Sequence, residues 1–157
     1  MLFRSPNTVQ IDASTWLEDF VTEYSAASPE AADIEIIGTG DTPQLLFDET
    51  HLRQILTNLL DNARRHAGTE TTDPEVQLQC IADAEADSAL IQVIDNGPGI
   101  DSAEEAMIFE PFYTTAQQGS GLGLYISKDL AEINNGVLDY TRGADRRSCF
   151  SLRVPTA

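Results

Sequence analysis

Lysine is almost missing from this chain: Lys128 is the only one in 157 residues. Nine basic residues stand against 26 acidic ones, a formal net charge of −17. A surface of that sign repels nucleic acid and anionic membranes, which sets both aside as partners. It repels a free nucleotide too, unless a metal cation and a local basic or dipolar site compensate. Long apolar runs are also absent. None approaches the length of a membrane span, and the opening MLFRSPN has no apolar core of a signal peptide. Cysteine is scarce. Cys80 and Cys149 both fall in apolar, strand-like stretches and read as small buried residues of a reducing compartment, not as a disulfide. No repeat or low-complexity tract occurs. These absences describe a cytosolic chain, or a cytosolic piece of a larger one.

What is present is ordinary for a globular protein: 41% hydrophobic and 22% charged residues. The length suits a single domain over 1–157, enough to bury roughly 68–70% of the surface the unfolded chain exposes. Thr8 to Ile11 alternate apolar and polar. An Asp12–Ser14 cap signal then opens a helix carrying Trp16, Leu17, Phe20, Val21 and Tyr24. Ile34, Ile36 and Ile37 predict a strand closed by the Gly38-Thr39-Gly40 turn, and Gln44 to Phe47 a second one. A helix follows from near Asp48, stopping at Ala67-Gly68 with glycine in the terminating position. Val76, Leu78 and Cys80 alternate with glutamines, and Ala89 to Ile94 form a more continuous apolar strand, the two joined by a solvated acidic tip, Asp83–Asp87. Residues 96–120 carry glycine, proline and glutamine with little periodicity, the length of a functional lid. A helix from about Gly121 to Ile133 and strands near Val137–Tyr140 and Ser148–Val154 finish the chain. The order predicts a mixed α/β layer, one sheet with helices on one face.

Four stretches carry chemistry. In the helix after Asp48, Leu52, Ile55, Leu56, Leu59, Leu60 and Ala63 make one apolar face. Gln54, Asn58, Asn62 and Arg65 fall in a stripe bordering it, where a pocket floor would lie. Asparagine is a mediocre helix former, so two of them four residues apart need a reason: loop capping or a site. Second, the strand Leu90–Ile94 runs into Asp95-Asn96-Gly97-Pro98-Gly99-Ile100. A carboxylate there can accept from an amino group and the glycines permit close approach of a flat ligand, although a plain turn uses the same residues. Third, Gly119-Ser120-Gly121-Leu122-Gly123-Leu124 opens a helix, where backbone N–H groups and the helix dipole suit a phosphate; a hinge for the long loop fits as well. Fourth, Ile108-Phe109-Glu110-Pro111-Phe112-Tyr113 is an aromatic cluster able to anchor that loop to the core.

In this order the motifs Asn58–Ala63, Asp95–Ile100, Phe109–Phe112 and Gly119–Leu124 resemble the catalytic ATP-binding domain of sensor histidine kinases. That family shares its fold with gyrase and the heat-shock chaperone ATPases, and the resemblance runs from about residue 8 to 154. It implies a two-layer α/β (α+β) sandwich of the Bergerat type. The sheet would be mixed and mostly antiparallel, of about five strands with three helices on one face, and an ATP lid would occupy about 96–120. It implies ATP and Mg²⁺ as cofactors. Asn62 would hold the metal, and Asn58 would line the phosphate pocket, the two being the catalytic pair. Arg65 would be a basic phosphate contact, with His66 a ring beside the nucleotide whose charge varies near neutral pH. Asp95 would accept from the adenine amino group, with Gly97 and Gly99 making room. Gly119, Gly121 and Gly123 would let the lid close over the phosphates above Leu122, and Ile100, Phe109, Ser120 and Leu124 complete the nucleotide-binding set.

The resemblance further implies transfer of the γ-phosphoryl group to a histidine on a separate dimerisation domain, and indirectly to a response regulator. Hydrolytic relatives carry glutamate where Asn58 stands, as base for the attacking water; an amide cannot take a proton, so hydrolysis is disfavoured. The chain's own histidines, His51 and His66, lack the phosphoacceptor setting, and His51 reads as a surface helix residue. The chain is thus expected to be the monomeric catalytic part of a larger kinase, cytoplasmic below a membrane anchor, without membrane contact of its own. The run Leu124–Lys128 to Gly136, with Trp16-Leu17, looks closest to kinases regulating type IV pili or nitrogen metabolism. One departure stands out: the lid holds no Lys or Arg between Ile100 and Gly119. That feature and the extreme acidity favour one alternative, a degenerate ATP-binding module that only docks a partner; a stand-alone ATPase is a third reading.

Overall fold

The structure, a computed structural model, describes residues 5–28, 34–38, 43–67, 75–113, 121–143 and 147–157. The expected Gly68 helix stop, the Thr39-Gly40 turn and the lid residues 114–120, with Gly119 and Ser120, lie outside that set.

Strand alternation builds one sheet. β2 (Ile34–Ile37), β4 (Val76–Asp83), β5 (Ser88–Asp95), β7 (Ser148–Pro155) and β6 (Val137–Arg142) lie in the order β2-β4-β5-β7-β6. β2 runs parallel to β4 and every other pairing is antiparallel. Val76, Leu78, Ile91, Val93, Phe150, Leu152 and Leu138 point to one face and are buried there. The other face carries Gln79, Gln92 and Ser151, linked as Gln79 Nε2 to Gln92 Oε1 and Gln92 Nε2 to Ser151 Oγ. The continuous apolar run of β5 follows from its central place between β4 and β7. Its acidic hairpin tip toward β4 is exposed, as the sequence predicts.

Three long helices cover the buried face: α1 (Ala13–Ala27), α2 (Glu49–Ala67) and α4 (Gly123–Ile133). Asp12 caps α1 by accepting from Thr15 N–H at 3.1 Å. The apolar stripe of α2 is wholly buried, Leu52, Ile55, Leu56, Leu59, Leu60 and Ala63 included. Between α1 and α2, Tyr24 donates to Asp61 Oδ1 at 2.6 Å and accepts from Arg64, and burial pushes the Tyr24 hydroxyl up to about 12. Cys80 and Cys149 are both buried. Among the described residues no helix is long and apolar enough to cross a membrane.

Three expectations need correction. β1 (Thr8–Asp12) and β3 (Gln44–Asp48) do not join the main sheet; they pair with each other, and a single bridge from Leu45 to Thr156 ties them to it. Their short alternating patterns could not say which strand each would choose. The lid region is not wholly irregular, since α3 (Ser102–Glu105) forms a single turn in it. His51 is not a surface residue. Its side chain is 16% exposed and its Nδ1 lies 3.0 Å from Asn134 Nδ2. Asn134, 4% exposed, also accepts from Asp48 N–H at 2.9 Å and donates to Leu130 O at 2.7 Å. One buried amide thereby fastens the end of α4 to the start of α2.

Candidate functional site

Asp95 ends β5 opposite Val76 on one side and Ser148 on the other, with its side chain on the helix-covered face. It is 1% exposed. Its Oδ1 accepts from Gly97 N–H at 2.9 Å, while Oδ2 is buried with no hydrogen-bond partner. Burial pushes the carboxyl up to about 6, the Gly97 hydrogen bond opposing the rise. Buried polar atoms are nearly always satisfied, so an orphaned carboxylate oxygen at a strand end marks a place for an external donor.

The glycines after it have distinct tasks. A Cβ on Gly97 would lie 2.5 Å from the His66 carbonyl oxygen, so only glycine lets this loop meet the last turn of α2. Gly99 adopts φ +79, and a Cβ there would crowd the Arg142 guanidinium and Ser148 Oγ at 3.2 and 3.3 Å. Ile100, itself buried, donates its N–H to Tyr140 Oη at 3.0 Å, and that hydroxyl meets Ser148 Oγ at 3.1 Å. The loop is pinned to α2 on one side and to β6 and β7 on the other.

On the α2 rim, Asn58 and Asn62 are half-buried and Arg65 is exposed. Asn62 Nδ2 is buried without a partner; its Oδ1 accepts only a long 3.3 Å hydrogen bond from Arg65. Mg²⁺ ordinarily takes one or two protein oxygens and completes its shell with phosphate and water. Asn62 Oδ1 fits that part, and among the described residues no cluster of three His, Cys, Asp or Glu offers a fuller cage. Asn58 is engaged elsewhere: its Nδ2 donates to Gly123 O at 3.2 Å and Ser127 Oγ at 3.1 Å. His66 lies half-buried at the end of α2. Burial first, and then the Arg65 charge, lower its pKa from 6.5, so the ring stays uncharged at neutral pH instead of titrating there.

The glycine run starts α4 later than its sequence pattern predicts, at Gly123, because Gly121 takes φ +75. A Cβ on Gly121 would lie 2.6 Å from Phe112 Cα, and Phe112 N–H donates to Gly121 O at 2.9 Å. Leu122 caps α4 without any side-chain hydrogen bond, and Leu124 follows in its first turn. That leaves the first-turn N–H groups as a place for an anion. The aromatic cluster divides. Ile108 is buried, and Phe109 packs edge-on to Phe150 (6.3 Å between centroids) with Lys128 Nζ 5.2 Å from its own centroid. Phe112, by contrast, is 74% exposed at φ 66 and meets Gly121 through its backbone. Of the site residues expected from sequence, Gly97 packs against His66 at the end of α2, Gly99 and Ile100 meet β6 and β7, and Asn58 meets the start of α4. Ser127, Lys128, Tyr140, Arg142 and Ser148 escaped the sequence reading. The strand register sets Asp95, Ser148 and Arg142 in one cross-strand row, and Tyr140 joins it through the Ser148 hydroxyl.

A helix-backed mixed sheet, with a buried carboxylate at a strand end and a glycine-led helix start, is the arrangement of a nucleotide-binding α/β sandwich. The chain belongs to the family described as Histidine kinase-, DNA gyrase B-, and HSP90-like ATPase, whose model matches residues 47–157. Within it the chain is a catalytic domain of the sensor histidine kinase type. It is 35% identical over 150 residues to the sensor protein kinase PilS of Pseudomonas aeruginosa, covering 95% of this chain and 28% of that protein. With the sensor protein TorS of Escherichia coli it shares 41% identity over 113 residues, 71% of this chain and 12% of TorS. The chain thus spans well under a third of these relatives. Full-length ShkA, solved in complex with AMPPNP, is 29% identical with a TM-score of 0.80, covering 98% of this chain and 32% of that one. The catalytic domain of histidine kinase ThkA, 20% identical, matches in fold with a TM-score of 0.81 over 95% of both chains.

Proposed function

We propose that the chain is a single folded domain that binds Mg²⁺-ATP and donates the γ-phosphoryl group to a histidine on a separate dimerisation domain. Asp95 Oδ2 accepts from the adenine amino group. Asn62 Oδ1 holds the Mg²⁺, which neutralises phosphate charge when bound, and Arg65 with the first-turn N–H groups of α4 meets the phosphates. His66 offers an uncharged flat face. The observation that carries this reading is the buried Asp95 carboxylate at the end of β5, whose Oδ2 has no hydrogen-bond partner. ShkA, solved with AMPPNP, supports the nucleotide. Asn58 supports transfer over hydrolysis, since an amide takes no proton and general-base help is worth about 10²–10⁴-fold.

The whole kinase would work on the cytoplasmic side of a membrane, hand phosphate on to a response regulator and, by its kinship with PilS, belong to the type IV pilus branch. The test mixes this domain with the dimerisation domain of its kinase and γ-labelled ATP. Label on the partner's histidine is expected. Binding without transfer would instead make it a docking module, and steady phosphate release by the domain alone would make it an ATPase.

A further inference from the structure

Both hydrogens of the Asn58 amide are already used. A carboxamide carries two N–H donors, and here one goes to Gly123 O, the first residue of α4, and the other to Ser127 Oγ one turn later. Ser127 is 0% exposed and the contact spans 69 positions of sequence, so it is a built junction between two helices. Only Asn58 Oδ1 is left over. An acceptor cannot stabilise a phosphate oxygen, so Asn58 as placed is no phosphate ligand.

We infer that Asn58 and Ser127 form a latch, with Ser127 a positioning residue that sets the first turn of α4 against the metal-binding face of α2. The inference rests on the nucleotide reading above. Leu122 supplies no side-chain cap, so contacts along α4 help set where its first-turn N–H groups point. The latch does so from below, through Gly123 O. It also explains why position 58 holds an amide. A glutamate there would set a carboxylate against the Gly123 carbonyl oxygen with no hydrogen to share, and two acceptors in contact repel.

The experiment reads two affinities by nuclear magnetic resonance titration: a non-hydrolysable ATP analogue with Mg²⁺, and adenosine. Adenosine uses the Asp95 end alone; the analogue also needs the α4 N–H groups. Ser127→Ala is expected to weaken the analogue about five- to tenfold, the worth of about one hydrogen bond, and to leave adenosine unchanged. Ser127→Thr, which keeps the hydroxyl, should restore the ratio. In an Asn58→Ala background, Ser127→Ala should add nothing further. A Ser127→Ala ratio equal to that of the unmodified domain, or two fully additive changes, overturns the latch. Should Ser127→Ala not fold, Asn58→Asp reads the same ratio, and an unchanged ratio there overturns it equally. An unmodified domain that binds neither probe overturns the proposed function instead.

Discussion

On the proposed pairing of Asp95 with the adenine amino group, nucleotide binding is expected to depend on pH. The Asp95 carboxyl rises from 3.8 to about 6 on folding, because burial outweighs the Gly97 hydrogen bond. A shift of roughly two units is about 3 kcal/mol favouring the protonated form of the folded protein. The raised value means the folded state holds a proton that the unfolded state has released. Stability from this group is therefore complete below pH 3.8 and lost as pH climbs through 6. Binding runs the opposite way: with Oδ1 held by the Gly97 N–H, the proton would sit on Oδ2, the oxygen that must accept from the amino group. At pH 5, about one unit below the midpoint, roughly one-tenth of the sites are ionised and adenosine affinity should be about tenfold weaker than at pH 7.5. Adenosine is the right probe because it has no phosphate to titrate. Isothermal calorimetry at pH 6, in buffers of differing ionisation enthalpy, should show about half a proton released per ligand bound. Asp95→Asn should flatten both profiles, leaving weak, pH-independent binding and removing the loss of stability between pH 4 and 7. Equal pH dependence in the Asn variant and the unmodified domain would refute the reasoning.

Two further perturbations separate architecture from ligand chemistry. Gly97→Ala drives a methyl into the His66 carbonyl, so it should destabilise the domain by about 2 kcal/mol and lower Tm by about 4–8 °C in calorimetry; an unshifted Tm would mean the contact relaxes freely. Asn134→Ala strips the Asp48 N–H, Leu130 O and His51 of one shared partner. It should cost about 2–3 kcal/mol in denaturant unfolding, with adenosine affinity preserved by the intact Asp95 end.

Much of the fold is legible because it depends on periodicity. The apolar stripe of α2 and the alternation in β4 predict their own burial, and Asp95 closes a strand where its motif expects it. What stays hidden depends on pairing. Nothing local in Thr8–Ile11 tells a strand to leave the main sheet for β3, and nothing in Tyr140 announces a neighbour 40 positions away at Ile100. His51 looks like a surface residue because its partner, Asn134, lies 83 positions on. Asn58 is the instructive case. Its sequence position argues only against a general base, whereas its hydrogen bonds give a second reason for an amide, a donor that α4 requires. Glycine shows the same limit: a Cβ on Gly97 would meet the His66 carbonyl of α2, a contact no local pattern announces.

The central claim, a Mg²⁺-ATP site spanning Asn62, Asp95 and the start of α4, is tested most directly by titrating the domain with a non-hydrolysable ATP analogue in magnesium and in chelator. With so acidic a chain, the metal is the largest positive charge the phosphates can find. Affinity should be at least about tenfold tighter in magnesium, and Asn62→Ala should erase that difference. The amide signals of Gly97, Ile100 and Gly123 should move on binding. Equal affinity in the two buffers, or signal changes confined to residues away from this site, would contradict the account.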